Sequence, residues 1–335
     1  MTRIITITGG MAQVGKTHLA VNLALELVRR GRFAGVLQEA VPGAGALLEL
    51  QALPESQEDH DETRGIRRQG YQGIDVLDCE TPLRCWLSHG GEQRLACLGA
   101  IDGLDGYDDL LIDTSAMDRR SQLACCQVAD MVVLVVTPTA VSQAEAFALL
   151  RVLSLNGFAQ PVYLLVNRSL YPVDSKDVYD GFLRLVKRHL GLEPGYLGAV
   201  AEDRRVSLAG QNRQAFSSLF PDSGATAGIV AAVDMLEDET IRRPGGQTLS
   251  SFSGKLLAVL QRPVCLPGGG QLEDMVTAAE SPETLPGTVA GRERSGSLGL
   301  LQYAGDVAGL WRFLELLPPA LQSLGSGLGE LIAHE

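Results

Sequence analysis

Two hydrophobic periods alternate along the first two thirds of the chain. Short apolar runs typical of buried strands are followed by segments in which apolar residues recur at helical spacing. The predicted strands are residues 4–8, 34–37, 74–77, 109–112, 131–136, 162–166 and 196–200. The predicted helices are residues 18–30, 122–128, 142–155, 177–190 and 226–236. This order predicts an α/β fold with a mostly parallel, doubly wound sheet covered by helices on both faces.

The pattern changes after residue 237. The following stretch is rich in Gly, Pro, Ser and Thr, with chain breakers at Pro244-Gly245-Gly246 and Pro267-Gly268-Gly269-Gly270. We therefore predict a domain at 1–237, a linker at 238–302 and a C-terminal helical segment at 303–335. The last two would form a flexible extension that contains short helices.

Two segments of this extension are amphipathic. Residues 249–261 place Phe252 and Leu256 at helical spacing, and residues 303–317 carry Trp311 on an apolar face. Three alternatives stay open for such helices: contact with a membrane surface, docking to a partner, or packing back on the core. Membrane contact through 249–261 is not the favoured one.

Composition narrows the classes of function. The chain has 335 residues, 45% of them hydrophobic, and a formal net charge of −12. An acidic protein without a basic stripe is a poor candidate for specific or non-specific nucleic-acid binding. No apolar run is long enough to span a membrane, the first residues already form a core strand, and the six cysteines show no disulfide framework. These features predict a cytoplasmic protein.

The chemistry begins with a phosphate-binding loop. Gly10, Gly15, Lys16 and Thr17 occupy the fixed positions of G-x-x-x-x-G-K-[ST], between a predicted strand and a predicted helix. In that order, backbone N–H groups and the helix N-terminus point at phosphate. Lys16 would reach the β- and γ-phosphates and Thr17 would hold Mg²⁺. The sequence therefore predicts ATP or ADP with Mg²⁺ as cofactors.

A second element follows the strand at 109–112. The strand ends in Asp113, where a carboxylate beside the phosphate loop can hold Mg²⁺ through water. The residue types and the order of the two elements favour this function over a simple turn cap.

The residues around the loop resemble the MinD/ParA-type ATPases, and most of all their flagellar-number branch, FlhG or FleN. The matching stretches are Thr8-Gly9-Gly10, Val14-Gly15-Lys16-Thr17 and Val21-Asn22-Leu23-Ala24. The resemblance covers residues 1–261. It implies that His18 joins the loop residues in contacting nucleotide, and that Lys16 and Asp113 act in catalysis.

The chain departs from this family at two places. Met11 stands where the family has a signature lysine that reaches the partner's nucleotide in a dimer, and Ala12 and Gln13 replace two glycines. At the end of the second strand, Gln38-Glu39-Ala40 replaces the family's D-x-D motif. Glu39 is the one carboxylate in this triplet, and it is a candidate catalytic substitute if the backbone shifts. Strand alternation would normally point its side chain away from the site.

The resemblance also extends to base recognition. Asn167 follows a strand at the position that pairs with adenine in the family, and an Asn amide can satisfy both a donor and an acceptor of that base. Glu202 and Asp203 lie in a stretch, 201–206, that resembles the loop closing over the base.

Three further groups of residues carry weaker functional signals. Cys79, Cys85, His89 and Cys97 are zinc-type ligands, but they lack the spacing of common zinc ribbons. We interpret Cys125-Cys126 as buried helical cysteines, with the metal-bridged dimer interface of some relatives as the alternative. We interpret Arg119-Arg120 as a solvated charge pair, with contact to phosphate or to a partner as the alternative.

Together these features predict a nucleotide-binding regulator or scaffold that hydrolyses ATP slowly or not at all. The family resemblance implies that it positions or counts a polar or flagellar assembly through protein partners, with a homodimer as an open alternative. The protein would be cytoplasmic, or it would lie peripherally at the inner membrane or the cell pole. Two other hypotheses stay open: an active ATPase completed by Glu39 or by a partner, and an interaction platform that binds no nucleotide.

Overall fold

The structure is a computed structural model of the chain. It describes residues 1–39, 48, 51–52, 66–79, 99, 101–104, 106–238, 241 and 246–267. Several residues discussed above lie outside this set: Ala40, Cys85, His89, Cys97 and the C-terminal segment 303–335.

The described elements follow the predicted order. The strands are β1 (Arg3–Thr8), β2 (Ala34–Glu39), β3 (Gln51–Ala52), β4 (Ile66–Tyr71), β5 (Ile74–Cys79), β6 (Asp109–Asp113), β7 (Met131–Val136), β8 (Val162–Ser169) and β9 (Gly195–Ala201). The helices are α1 (Lys16–Arg29), α2 (Arg119–Val128), α3 (Ala140–Leu155), α4 (Pro172–Leu190), α5 (Arg204–Gln211), α6 (Phe216–Leu219), α7 (Gly224–Glu237) and α8 (Leu249–Leu260).

Within the described residues the strands form one sheet in the order β3-β4-β5-β2-β6-β1-β7-β8-β9. Every neighbouring pair from β5 to β9 is parallel. The predicted fold class is therefore confirmed. The carboxyl ends of β1, β2 and β6 meet at one edge of the sheet, which is where ligands bind in folds of this kind.

The antiparallel edge of the sheet was not predicted. Strands β3 and β4 run antiparallel to their neighbours, and β4 joins β5 through a two-residue turn. Gln72 and Gly73 in that turn have φ values of 47° and 92°. Positive φ at both central residues is the geometry that tight hairpins require. Arg67 and Arg68 interrupt the apolar pattern of β4, and for this reason the pattern did not predict the strand.

Capping side chains set where several helices begin. Asp118 accepts hydrogen bonds from the backbone N–H groups of Arg120 and Ser121 at the start of α2. Thr139 likewise caps α3 by accepting from the N–H of Ser142. Such caps satisfy N–H groups that have no partner within the helix. They explain why α2 and α3 begin earlier than the apolar pattern alone predicts.

Helices cover both faces of the sheet. Helices α1 and α7 pack on one face around Ile5 and Ile7, and α2, α3, α4 and α8 pack on the other, where α2 and α8 meet Ile4. Alternate residues of β1 thus serve opposite cores, as strand geometry demands. Cys125 and Cys126 are buried in α2, which confirms their interpretation as core residues.

Helix α8 belongs to this core. Phe252, Leu256 and Leu260 are fully buried, and α8 packs against α2. Just before the helix, Gln247 pairs with Thr2 in an antiparallel bridge. The linker interpretation is wrong for residues 246–267, because apolar burial fixes them to the domain. Of the three alternatives for 249–261, the structure shows packing on the core.

No helix among the described residues has the length and apolar character to cross a bilayer.

Candidate functional site

The phosphate loop connects β1 to α1 and lies tightly against its surroundings. A side chain at Gly10 would collide with the Glu145 backbone, since an added Cβ would lie 2.1 Å from its carbonyl carbon. Gly15 has a φ of 95° and would meet the Asn167 amide at 2.4 Å. Gln13 has a φ of 59°, in a region that costs a non-glycine residue about 1 kcal/mol. The loop keeps its curved form despite the loss of a family glycine there.

Lys16 closes over this loop. Its ammonium donates a hydrogen bond to the Met11 carbonyl at 2.9 Å, and the residue is 5% exposed. Burial lowers the pKa of Lys16, nearby Asp113 opposes that shift, and Arg119 adds to it. A buried cation on a phosphate loop is poised to exchange a backbone carbonyl for a phosphate oxygen.

Thr17 and Asp113 are connected through Ser115. The Thr17 hydroxyl donates to Ser115 Oγ at 2.9 Å, and Ser115 Oγ donates to Asp113 Oδ1 at 2.6 Å. The Ser115 backbone N–H also donates to Asp113 Oδ1 at 3.0 Å. Hydroxyl and carboxylate oxygens are the donors that Mg²⁺ prefers. The residues predicted to hold the metal therefore lie together and fit it chemically.

The end of β2 is arranged differently. Gln38 lies in register with both Asp113 and Asp78, so the three side chains share one face of the sheet. The Gln38 amide donates to Asp78 Oδ1 at 2.7 Å, while Arg67 donates to Asp78 Oδ2 at 3.2 Å. A neutral amide bonded to a neighbour thus occupies the position next to Asp113.

Glu39 points to the opposite face. It pairs in register with Cys79, which lies in the core cluster beneath α2 and α8. Burial raises the pKa of the nearby Cys125 thiol, and the charge of Glu39 adds to that shift. This placement agrees with strand alternation and does not bring Glu39 to the face that carries Asp113.

The predicted base-recognition residues lie farther along the same edge. Asn167 Nδ2 donates to the Val14 carbonyl at 2.7 Å, and its Oδ1 accepts from the Arg168 backbone N–H at 3.0 Å. Its amide therefore supports the phosphate loop, and its contact with a base stays a prediction. Glu202 lies 4.0 Å from Arg168, and its N–H donates to the Ser169 carbonyl.

Asp203 and His18 complete this side of the site. Asp203 caps α5, and hydrogen bonds from Arg205 lower the pKa of its carboxyl. Burial lowers the pKa of His18, the charge of Arg168 adds to that shift, and Asp113 opposes it.

Comparisons with known proteins agree with this picture. No protein-family model matches the chain. The antiactivator FleN of Pseudomonas aeruginosa is 26% identical over 241 residues, which cover 70% of this chain and 86% of FleN. The flagellum site-determining protein YlxH of Helicobacter pylori is 24% identical over 278 residues, covering 77% of this chain and 91% of YlxH.

Solved structures share the fold. The Aquifex aeolicus MinC:MinD cell division complex matches with a TM-score of 0.51 and 17% identity, covering 74% of this chain and 99% of the matched chain. The Cyanothece McdA–ATP complex matches with a TM-score of 0.50 and 15% identity, covering 73% and 99%. The chain is therefore similar in sequence to FleN and YlxH, and it shares its fold with MinD and McdA.

Three further residues contact or border the loop, and none of them was predicted as a site residue. Arg119 donates to Gln122 Oε1 at 2.6 Å and to the Gly10 carbonyl at 3.4 Å. Gln122 donates to Thr8 Oγ1 at 2.7 Å and to the Gly9 carbonyl at 3.0 Å. Glu145 is buried in α3 beneath Gly10.

The interpretation of Arg119-Arg120 as a solvated pair is therefore wrong. Both are partly buried, and Arg120 donates to the Leu260 carbonyl in α8. Helical spacing carried a usable signal, because Arg119, Gln122 and the buried Cys126 share one face of α2 at i, i+3 and i+7.

Proposed function

We propose that this protein is an ATP-binding regulator of the FlhG/FleN type that hydrolyses ATP slowly or not at all. One observation carries the proposal. Lys16, Thr17 and Asp113 are assembled at one edge of the sheet, while Gln38 beside Asp113 is an amide engaged by Asp78. Phosphoryl transfer depends on positioning and charge, so a site with binding groups but no switch carboxylate favours binding over turnover.

Nucleotide and Mg²⁺ fit the residues present. The loop brings one buried lysine to its inner side, and the Thr17–Ser115–Asp113 chain offers oxygen ligands to a hard cation. McdA, whose fold this chain shares, was solved as an ATP complex. Bound nucleotide would supply the phosphate charge that Lys16 neutralises, and Thr17 and Asp113 would hold the metal.

The biological role is proposed from the sequence relatives. FleN is an antiactivator and YlxH is a flagellum site-determining protein, and MinD was solved in complex with MinC. We infer that this chain controls the number or position of a flagellar assembly by binding protein partners in a nucleotide-dependent manner. A homodimer is part of this proposal.

A complementation experiment tests the role. The chain would be expressed in Pseudomonas aeruginosa lacking FleN, beside Lys16→Ala and the exposed control Lys187→Ala. We expect the wild type and the control to restore flagellar number, and Lys16→Ala to fail. Restoration by Lys16→Ala at equal protein level would favour an interaction platform that needs no nucleotide.

A further inference from the structure

Two cations converge on consecutive residues of the phosphate loop. Lys16 donates to the Met11 carbonyl at 2.9 Å, and Arg119 donates to the Gly10 carbonyl at 3.4 Å. The charge of Arg119 helps to lower the pKa of Lys16, so the two groups are close enough to repel. Like charges held together in a buried site favour the entry of an anion between them.

The guanidinium of Arg119 is held in place from α2. Its hydrogen bond to Gln122 is short, at 2.6 Å. Gln122 in turn donates hydrogen bonds to Thr8 and Gly9 at the end of β1. A guanidinium has five N–H donors in a planar fork that suits phosphate. The bonds to Gln122 and Gly10 therefore leave donors for a further acceptor.

A buried carboxylate interacts electrostatically with Arg119. This residue, Glu145, is 1% exposed, and its Oε1 has no hydrogen-bond partner among the residues that the structure describes. The Glu145 backbone packs against the loop residue Gly10, whose carbonyl accepts the hydrogen bond from Arg119. A buried acid without a hydrogen bond attracts the nearest cation.

We propose that Arg119 contacts the γ-phosphate of bound ATP in the same chain, as the second cation of this loop. Glu145 attracts the guanidinium when that phosphate is absent. The inference rests on the proposed function, because it assumes that the loop binds ATP. The γ-phosphate is the relevant group because Lys16, which reaches the β- and γ-phosphates in such loops, donates to the carbonyl next to the one that Arg119 contacts.

The test compares a non-hydrolysable ATP analogue with ADP by calorimetry, in the presence of Mg²⁺. Arg119→Gln should weaken binding of the ATP analogue about tenfold and of ADP less than twofold, as expected for loss of a charge-assisted hydrogen bond. Arg119→Lys, which keeps the charge, should recover part of the loss. Arg188→Gln on the exposed end of α4 is the matched control and should change neither affinity.

A second variant, at Glu145, tests the same inference with an expected change of opposite sign. Glu145→Gln removes the competing charge and should strengthen binding of the ATP analogue relative to ADP. Equal weakening of both ligands by Arg119→Gln, together with a lower unfolding temperature of the free protein, would show a structural role and overturn the inference. An unchanged preference for the ATP analogue in both variants would also overturn it. Binding of neither ligand by the wild type would instead overturn the proposed function.

Discussion

The ends of two neighbouring strands, β6 and β2, differ in what they present to the phosphate loop. Strand β6 ends in Asp113, whose carboxylate accepts two hydrogen bonds from Ser115 and connects to Thr17. Strand β2 runs beside it in register, yet its side chain on that face is Gln38, bonded to Asp78.

Under the proposed function, this difference between the two strand ends would separate nucleotide binding from hydrolysis. A carboxylate and a hydroxyl beside Lys16 are the groups that hold a metal and a phosphate. An amide already bonded to Asp78 has no basic group with which to orient an attacking water. Under the proposed function, this edge of the sheet would therefore bind nucleotide without the carboxylate that hydrolysis needs.

The largest effect should come from Lys16→Ala, which removes the buried cation that lies near Asp113 at the end of β6. We expect ATP affinity to fall by about a thousandfold, or ~4 kcal/mol, as when one partner of a buried charge pair is truncated. Calorimetry with Mg-ATP measures it, and Lys187→Ala, exposed in α4, is the control. A loss below tenfold would mean that the loop does not bind phosphate through Lys16.

The next effect concerns Glu145 beneath the loop. Burial raises the pKa of this carboxyl from 4.5 to about 7, and Arg119, which faces it from α2, limits the rise. The unfolded chain loses this proton near pH 4.5 and the folded protein near pH 7, so the contribution favours folding at low pH and is lost as pH rises between these values. The loss is about 3 kcal/mol.

Chemical unfolding from pH 5 to pH 8 tests this linkage. Glu145→Gln should gain about 3 kcal/mol relative to the wild type across that range, because the variant has no proton to lose. A constant difference between the two proteins would show that the pKa of Glu145 is not raised in the folded protein, and it would contradict this prediction.

A smaller effect is expected at the β2 end. Gln38→Asp replaces the amide donor with a carboxylate beside Asp78, and should lower the free energy of unfolding by about 2 kcal/mol through repulsion and the lost hydrogen bond. Gln38→Asn, which keeps an amide, should lose less. Phosphate release should rise in Gln38→Asp, because a carboxylate then lies beside Asp113 on the same face of the sheet. Release that stays at the wild-type level would contradict the argument that the amide at this position limits hydrolysis.

The smallest effect should come from Thr17→Val. Loss of the hydroxyl should weaken ATP binding about tenfold in Mg²⁺ and leave the affinity in EDTA unchanged, since only the metal contact is removed. Thr17→Ser retains the hydroxyl and should behave as the wild type. Equal weakening with and without Mg²⁺ would place Thr17 outside the metal site.

Some features could be read from the sequence because they depend on local spacing. The phosphate loop and Asp113 follow apolar strands, and the direction of Glu39 follows from the two-residue period of a strand. The seven strands of the parallel part of the sheet were predicted within a few residues for the same reason.

Other features depend on which distant segments meet. Helix α8 was predicted as a helix, but its burial against α2 requires the tertiary fold. The contact between Arg119 and Gly10, and the burial of Glu145, join residues more than a hundred positions apart along the chain. The burial of Glu145 did leave a weak signal in the sequence, because this residue lies on the same helical face as the apolar residues Leu149 and Val152 of α3.

The most direct test of ATP binding without turnover measures both on one sample. Wild-type protein would be titrated with Mg-ATP by calorimetry, and phosphate release followed on the same material. We expect saturable binding, with phosphate release no faster than in a protein-free control. Sustained release that Lys16→Ala abolishes would contradict this expectation and show an active ATPase.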